Sequence, residues 1–242
     1  FDFYKKYYVP SNATVILSGD IDLSDAKKFT KKYYGRIKTK NQSIKRLNLL
    51  DPEIKTTIRI NHNNENVNQK IWKRIYKVPS YRNSVKEGIA LDIGLNILAG
   101  GTTSILYDQL VKKKKLVSAV GGYYQGMTRE KGTIYFYAIP NKGIEIEKLE
   151  KILEEDILDA INNKITNKEF VKQKKIYKNE AIYLRDSIFQ PAQIIGEALT
   201  IGLKLEDIEN WNLYIDDLTI NEVIHELKRI LVNKNFVTGI LG

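Results

Sequence analysis

Two histidines, His62 and His225, are the only imidazoles in the chain, and each has a glutamate close by in sequence. His62-Asn63-Asn64-Glu65-Asn66 is one residue short of H-x-x-E-H, a zinc-binding pattern in which two imidazoles four residues apart share one face of a helix. Asn66 stands where the second histidine would be. The polar stretch 61–68 also reads as a turn or loop, which offers no common face. His225-Glu226 opens an H-E-x-x-H pattern, but Arg229 replaces its second histidine. Neither segment is expected to hold a metal. The chain has no cysteine, so disulfides, thiolate nucleophiles and cysteine-ligated metals are excluded. A cysteine-free chain suits the periplasm, the cytoplasm and organelles alike, and the compartment stays open.

The formal net charge is +10, with one tight run at Lys112–Lys115. Such a balance can attract nucleic acid or an acidic membrane surface. It can equally reflect a lysine-rich solvated surface. No recognised nucleic-acid motif accompanies the charge, so no nucleic-acid partner is expected, and a basic nucleic-acid-binding protein is kept only as a minor alternative. A composition 43% hydrophobic and 28% charged marks a globular chain. No apolar run approaches the roughly 18–20 residues that a membrane-spanning helix needs.

The positions of these residues depend on the elements that carry them. Aromatic residues at 1, 3, 4, 7 and 8 have near-helical spacing, and Pro10 should stop that helix. Phe1 to Val9 reads as helix interior, so the chain is expected to continue a preceding unit. Ala13–Leu17 is predicted as a short buried strand, and Ser24 as the cap of a helix running to about Tyr34. Residues 39–55 read as a linker. Thr56–Ile60 and Gln69–Val78 are predicted strands. The nearly all-apolar Val85–Leu98 should be a buried helix, broken by Gly100-Gly101 and followed by a second helix from Thr103 or Ser104 to about Lys114. Leu116–Tyr124 and Thr133–Ile139 should pair as a hairpin. Helices are then expected over Glu145–Asn162, from Asn167, over Gln193–Ile201 and after Thr219, whose Glu222 completes a capping box. Asn235–Leu241 should be a final strand. This order is α+β, not alternating β-α-β.

Phe3 to Asn12 followed by Val15 to Asp22 resembles the closing helix–strand–helix of the first domain in the pitrilysin/insulinase superfamily of zinc peptidases, which includes the mitochondrial processing peptidase. Ala99-Gly100-Gly101-Thr102-Thr103-Ser104-Ile105-Leu106-Tyr107, the hairpin after it, Asp186 to Gly202 followed by Trp211 to Asn221, and Phe236 to Leu241 resemble that superfamily's second domain. The resemblance implies a processing-peptidase-like half-molecule over residues 56–242, a sheet covered by helices. It also implies that residues 1–38 are the tail of a preceding, similar domain that bears the zinc.

The same resemblance locates the chemistry elsewhere. Superfamily members bind zinc in the first domain through H-x-x-E-H and a downstream Glu, so zinc is implied for the full-length protein or complex and not for this chain. Many members also carry an Arg/Tyr pair, roughly L-R-x-x-x-x-L-x-Y, that stabilises the substrate carbonyl as charge develops. Aligning Leu110 and Leu116 puts Val111 at the Arg position and Ser118 at the Tyr position. Valine cannot donate a hydrogen bond, and serine is too short to stand in for a phenol. No catalytic residue is therefore expected in this chain. A second domain without the Arg/Tyr pair resembles the zinc-bearing type, whose partner would be an Arg/Tyr-bearing subunit or a second copy. The implied function is the non-metal-binding region of a zinc endopeptidase acting on peptides or presequence-like segments, with the hairpin strands as part of a chamber wall. The alternative is a catalytically inactive core or assembly subunit of the same superfamily.

Overall fold

The structure is a computed structural model and describes residues 1–37, 52–183, 186–233 and 235–242. Two short helices, α1 (Asp2–Tyr7) and α2 (Leu23–Tyr33), precede the main body. The expected linker over 39–55 falls largely outside the described residues. The main body follows as β1 (Ile58–His62), β2 (Ile71–Val78), α3 (Val85–Ala99) and α4 (Ile105–Tyr107), the last running into a π-helical turn, Asp108–Lys113. The hairpin β3 (Val117–Gln125) and β4 (Gly132–Pro140) comes next. The helices α5 (Ile146–Asp159), α6 (Asn167–Tyr183), α7 (Gln190–Ile201), α8 (Leu205–Glu209), α9 (Trp211–Asp217) and α10 (Ile220–Leu231) lead to β5 (Val237–Leu241).

The strands form one sheet in the order β1-β5-β2-β4-β3, with β1 and β5 parallel and every other pair antiparallel. The C-terminal strand thus inserts between β1 and β2, which are consecutive in sequence but not neighbours. Helix α3 is mostly apolar and accordingly mostly buried: Ile89, Leu91, Ile93, Leu95 and Leu98 are almost wholly inaccessible, while Lys86, Glu87, Asp92 and Asn96 are only partly covered. Ser84 accepts a hydrogen bond from Glu87 N at its N-terminus. Gly202 turns left-handed (φ 100°) to end α7. Thr219 and Glu222 form the expected capping box of α10.

The sheet is electrically two-sided. On the face beneath the helices, Arg74 is 2% exposed, so its charge must be compensated internally. Its Nη1 donates to Glu154 Oε1 at 2.7 Å, its Nη2 to Glu150, and its Nε to Thr238 Oγ1 at 3.1 Å. The guanidinium lies over the Phe236 ring, 3.7 Å from its centroid. Arg59 joins Glu150 from β1. These contacts fasten α5 to the sheet.

The structure departs from the sequence reading at several points. Ala13–Leu17 is neither a strand nor buried, because among the described residues no strand lies beside it to take up its backbone groups. Asp22, not Ser24, caps α2, accepting from Asp25 N at 2.8 Å. The short helices α8 and α9 occupy a stretch in which the sequence singled out no separate elements. No residue of α1 or α2 is buried, and Phe1, Phe3, Tyr8, Leu23 and Tyr33 are all more than half exposed.

Candidate functional site

The two positions expected to replace an Arg/Tyr pair lie on different elements. Val111 belongs to the π-helical turn, partly buried against the core. Ser118 is exposed on β3 at a β-bulge between Val117 and Ala119, and its hydroxyl donates to the Ile139 carbonyl at 3.3 Å. The nearby lysine run is largely engaged within the chain. Lys113 pairs with Asp108 at 2.7 Å and Lys114 with the buried Asp156 at 2.6 Å, while Lys112 lies 5.6 Å from the Tyr107 ring centroid. These contacts give the run a structural role at the helix end, where the C-terminal carbonyls favour cations.

The histidines do not converge. His62 is exposed and stands on β1, not in the loop its polar neighbours suggested, because β5 recruits Asn61 and His62 into the sheet. His225 is exposed on α10, and its neighbour Glu226 is tied to Arg229, which also reaches Glu87 at 3.1 Å. Among the described residues, no group of three or more histidine and carboxylate side chains is placed to hold a metal ion. The donor set of these residues therefore does not fit zinc.

What the fold does build is a broad face. Strand registers put Ile58 and Ile60 of β1, Ile71, Lys73, Ile75 and Lys77 of β2, and Val237 and Leu241 of β5 on the side of the sheet opposite Arg74. Tyr135, Tyr137 and Ile139 of β4 and Tyr123 of β3 share that side. Helix α3 lies on the other side, where Gly122 approaches Ala99, as does α5 through Arg74. Every side chain of this open face remains partly or fully accessible, with Ile60 at 57% and Tyr123 at 53%. That exposure is high for large apolar groups on a regular sheet and marks a surface built to be covered.

The tyrosines form a ladder. The Tyr123 and Tyr135 rings are 5.0 Å apart, Tyr135 and Tyr137 6.3 Å, and the Lys73 ammonium sits 5.8 Å from the Tyr135 centroid. Gly121 makes room for the Tyr137 ring, which would meet a Cβ there at 2.7 Å. Such a surface can hold an extended chain by apolar and aromatic contact, but it carries no nucleophile paired with a base. Sequence reasoning found the hairpin and missed its face. Thr133–Ile139 carries rings or aliphatic groups on both sides, so its period of two is hidden. In β2 the alternation of Lys73 and Lys77 with Trp72, Arg74 and Tyr76 was the available signal.

The family model for the peptidase M16 inactive domain matches residues 1–177. A curated relative, the zinc protease PqqE of Helicobacter pylori, is 23% identical over 223 residues, covering 92% of this chain and 49% of that protein. The chain thus spans about half the length of the curated relative it matches. A solved protease from Helicobacter pylori superposes over 100% of this chain and 58% of its own, with a TM-score of 0.90 at 23% identity. A peptidase M16 inactive domain from Pseudomonas fluorescens covers 93% of this chain and 52% of its own, with a TM-score of 0.76 at 18% identity. At these identities the solved structures establish the fold, a five-stranded mixed sheet covered by helices. With the family model matched from residue 1 to residue 177, the chain belongs to the peptidase M16 inactive-domain family.

Proposed function

We propose that this chain is the non-catalytic half of a zinc endopeptidase, and that the open face of its sheet forms one wall of the chamber in which unfolded peptide is held. The observation that carries the reading is the exposed tyrosine and isoleucine surface on a domain without a metal-binding cluster among its described residues. The ion would be held by a preceding domain, where zinc would polarise the scissile carbonyl and acidify a bound water. Residues 1–38 would close that preceding domain, 39–55 would link the two, and 56–242 would form the second domain. The unburied aromatic residues of α1 and α2 support this division, since they need a partner that the second domain does not supply. With Val111 and Ser118 at the Arg and Tyr positions, the carbonyl-stabilising pair would come from a partner subunit or a second copy.

A photo-crosslinking amino acid placed at Tyr135 in the full-length protease tests the reading. We expect it to capture a bound unfolded peptide, whereas the same group at Glu155, exposed on α5 behind the sheet, should capture none. Equal capture at both positions, or capture at Glu155 alone, would overturn the chamber-wall assignment.

A further inference from the structure

The open face is as notable for what it lacks as for its rings. Among the described residues, its ionisable positions other than tyrosine are Lys73, Lys77 and His62, and no Asp or Glu occupies any open-face position of the five strands. The carboxylates that pair with the strand arginines, Glu147, Glu150 and Glu154, lie on the other side, held by Arg59 and Arg74. The fold thus sorts charge across a single sheet.

Lys73 is the centre of this arrangement. It stands on the middle strand, directly opposite Tyr137 on one side and Gly239 on the other. Gly239 opposes Ile60 on its far side, and nothing lies within 4 Å of where a Cβ would be. The result is a shallow bay beside an exposed ammonium, edged by an isoleucine and backed by the tyrosine ladder. A carboxylate placed there would meet a cation, and the rest of its chain would meet apolar surface.

We propose that the open face selects extended peptide segments carrying Asp or Glu beside aromatic or aliphatic side chains, that Lys73 reads the carboxylate, and that basic, presequence-like segments are turned away. The proposal rests on the chamber-wall reading and adds the substrate class. It reverses the presequence-like expectation, because a basic segment would find no carboxylate among the described strand residues of this face.

The test uses the 242-residue chain and two dye-labelled, end-capped peptides of identical apolar sequence, one with glutamates and one with lysines at the remaining positions. We expect anisotropy titration at low salt to show the glutamate peptide binding about tenfold tighter, with the gap closing at high salt. Lys73→Glu should reverse the preference, and Lys73→Met, which keeps the apolar stem, should abolish it if the glutamate variant fails to fold. Gly239→Val should fill the bay and weaken the glutamate peptide severalfold. Equal binding of the two peptides by the unmodified chain, or an unchanged preference in the Lys73 variants, would overturn the inference alone. Failure of both peptides to bind would overturn it together with the substrate-facing role of the surface.

Discussion

At the scale of single residues, Asp92 is held by three side chains. The hydroxyls of Tyr81 and Tyr177 both donate to its Oδ2, at 3.0 and 2.8 Å, and Asn96 Nδ2 reaches its Oδ1 at 3.3 Å. Burial raises the carboxyl above its ordinary range, and the two phenol hydrogen bonds only partly oppose this. Burial likewise pushes both phenols well up, so they remain donors at any ordinary pH. A carboxyl raised in the folded state binds its proton more tightly there than in the unfolded chain. Its contribution to stability is therefore complete below the unfolded value of about 4 and declines as pH rises towards the folded one. Asp92→Asn keeps an oxygen for both phenols and removes the titration. Urea unfolding across the weakly acidic range should show the unmodified chain losing stability with rising pH relative to the variant. Parallel pH profiles would refute this. Nothing in the sequence marked Asp92, whose phenol partners come from residues 11 and 85 positions away.

At the scale of elements, α3 shows how packing overrides propensity. Glycine inside a helix costs up to about 1 kcal/mol relative to alanine, yet α3 keeps Gly88 and Gly94. The Tyr81 ring lies where a Gly88 Cβ would be, and Leu227 and Val223 of α10 come within about 3.0 Å of the Gly94 position. Gly88→Ala should therefore destabilise the chain by about 1–3 kcal/mol despite the better helix former, read as a lower urea midpoint with an unchanged slope. A rise in the midpoint would show that the ring moves aside without penalty. The helix itself was legible in the sequence because apolar residues dominate it from Ile89 to Ala99, and so was the hairpin, because Gly126–Gly132 separates two β-rich runs. The reading of 13–17 failed for a nonlocal reason: Val15, Ile16 and Leu17 have strand-like chemistry, but a strand needs a neighbour and none lies beside them among the described residues. Helices α8 and α9 span five and seven residues, too short for a 3.6-residue period to declare itself. Strand β1 was legible as a strand, while its partner was not, since β5 lies nearly 180 residues on and parallel pairing leaves no turn signal.

At the scale of the whole molecule, the fold is that of the peptidase M16 inactive-domain family. The absence of a second histidine after Glu65 and after Glu226 could be read directly from the chain, and the structure adds that His62 and His225 stand exposed on separate elements. The open sheet face could not be read that way. It emerges only when β5 slides between β1 and β2 and lines up residues from five separated segments. On the proposed reading, a domain organised around that face offers contact and charge to a bound chain, while the hydrolytic ion and the carbonyl-stabilising pair would come from elsewhere. Metal analysis of the purified 242-residue chain after zinc loading and dialysis bears on this most directly. We expect far less than one zinc per chain; one tightly held equivalent per chain would contradict the assignment.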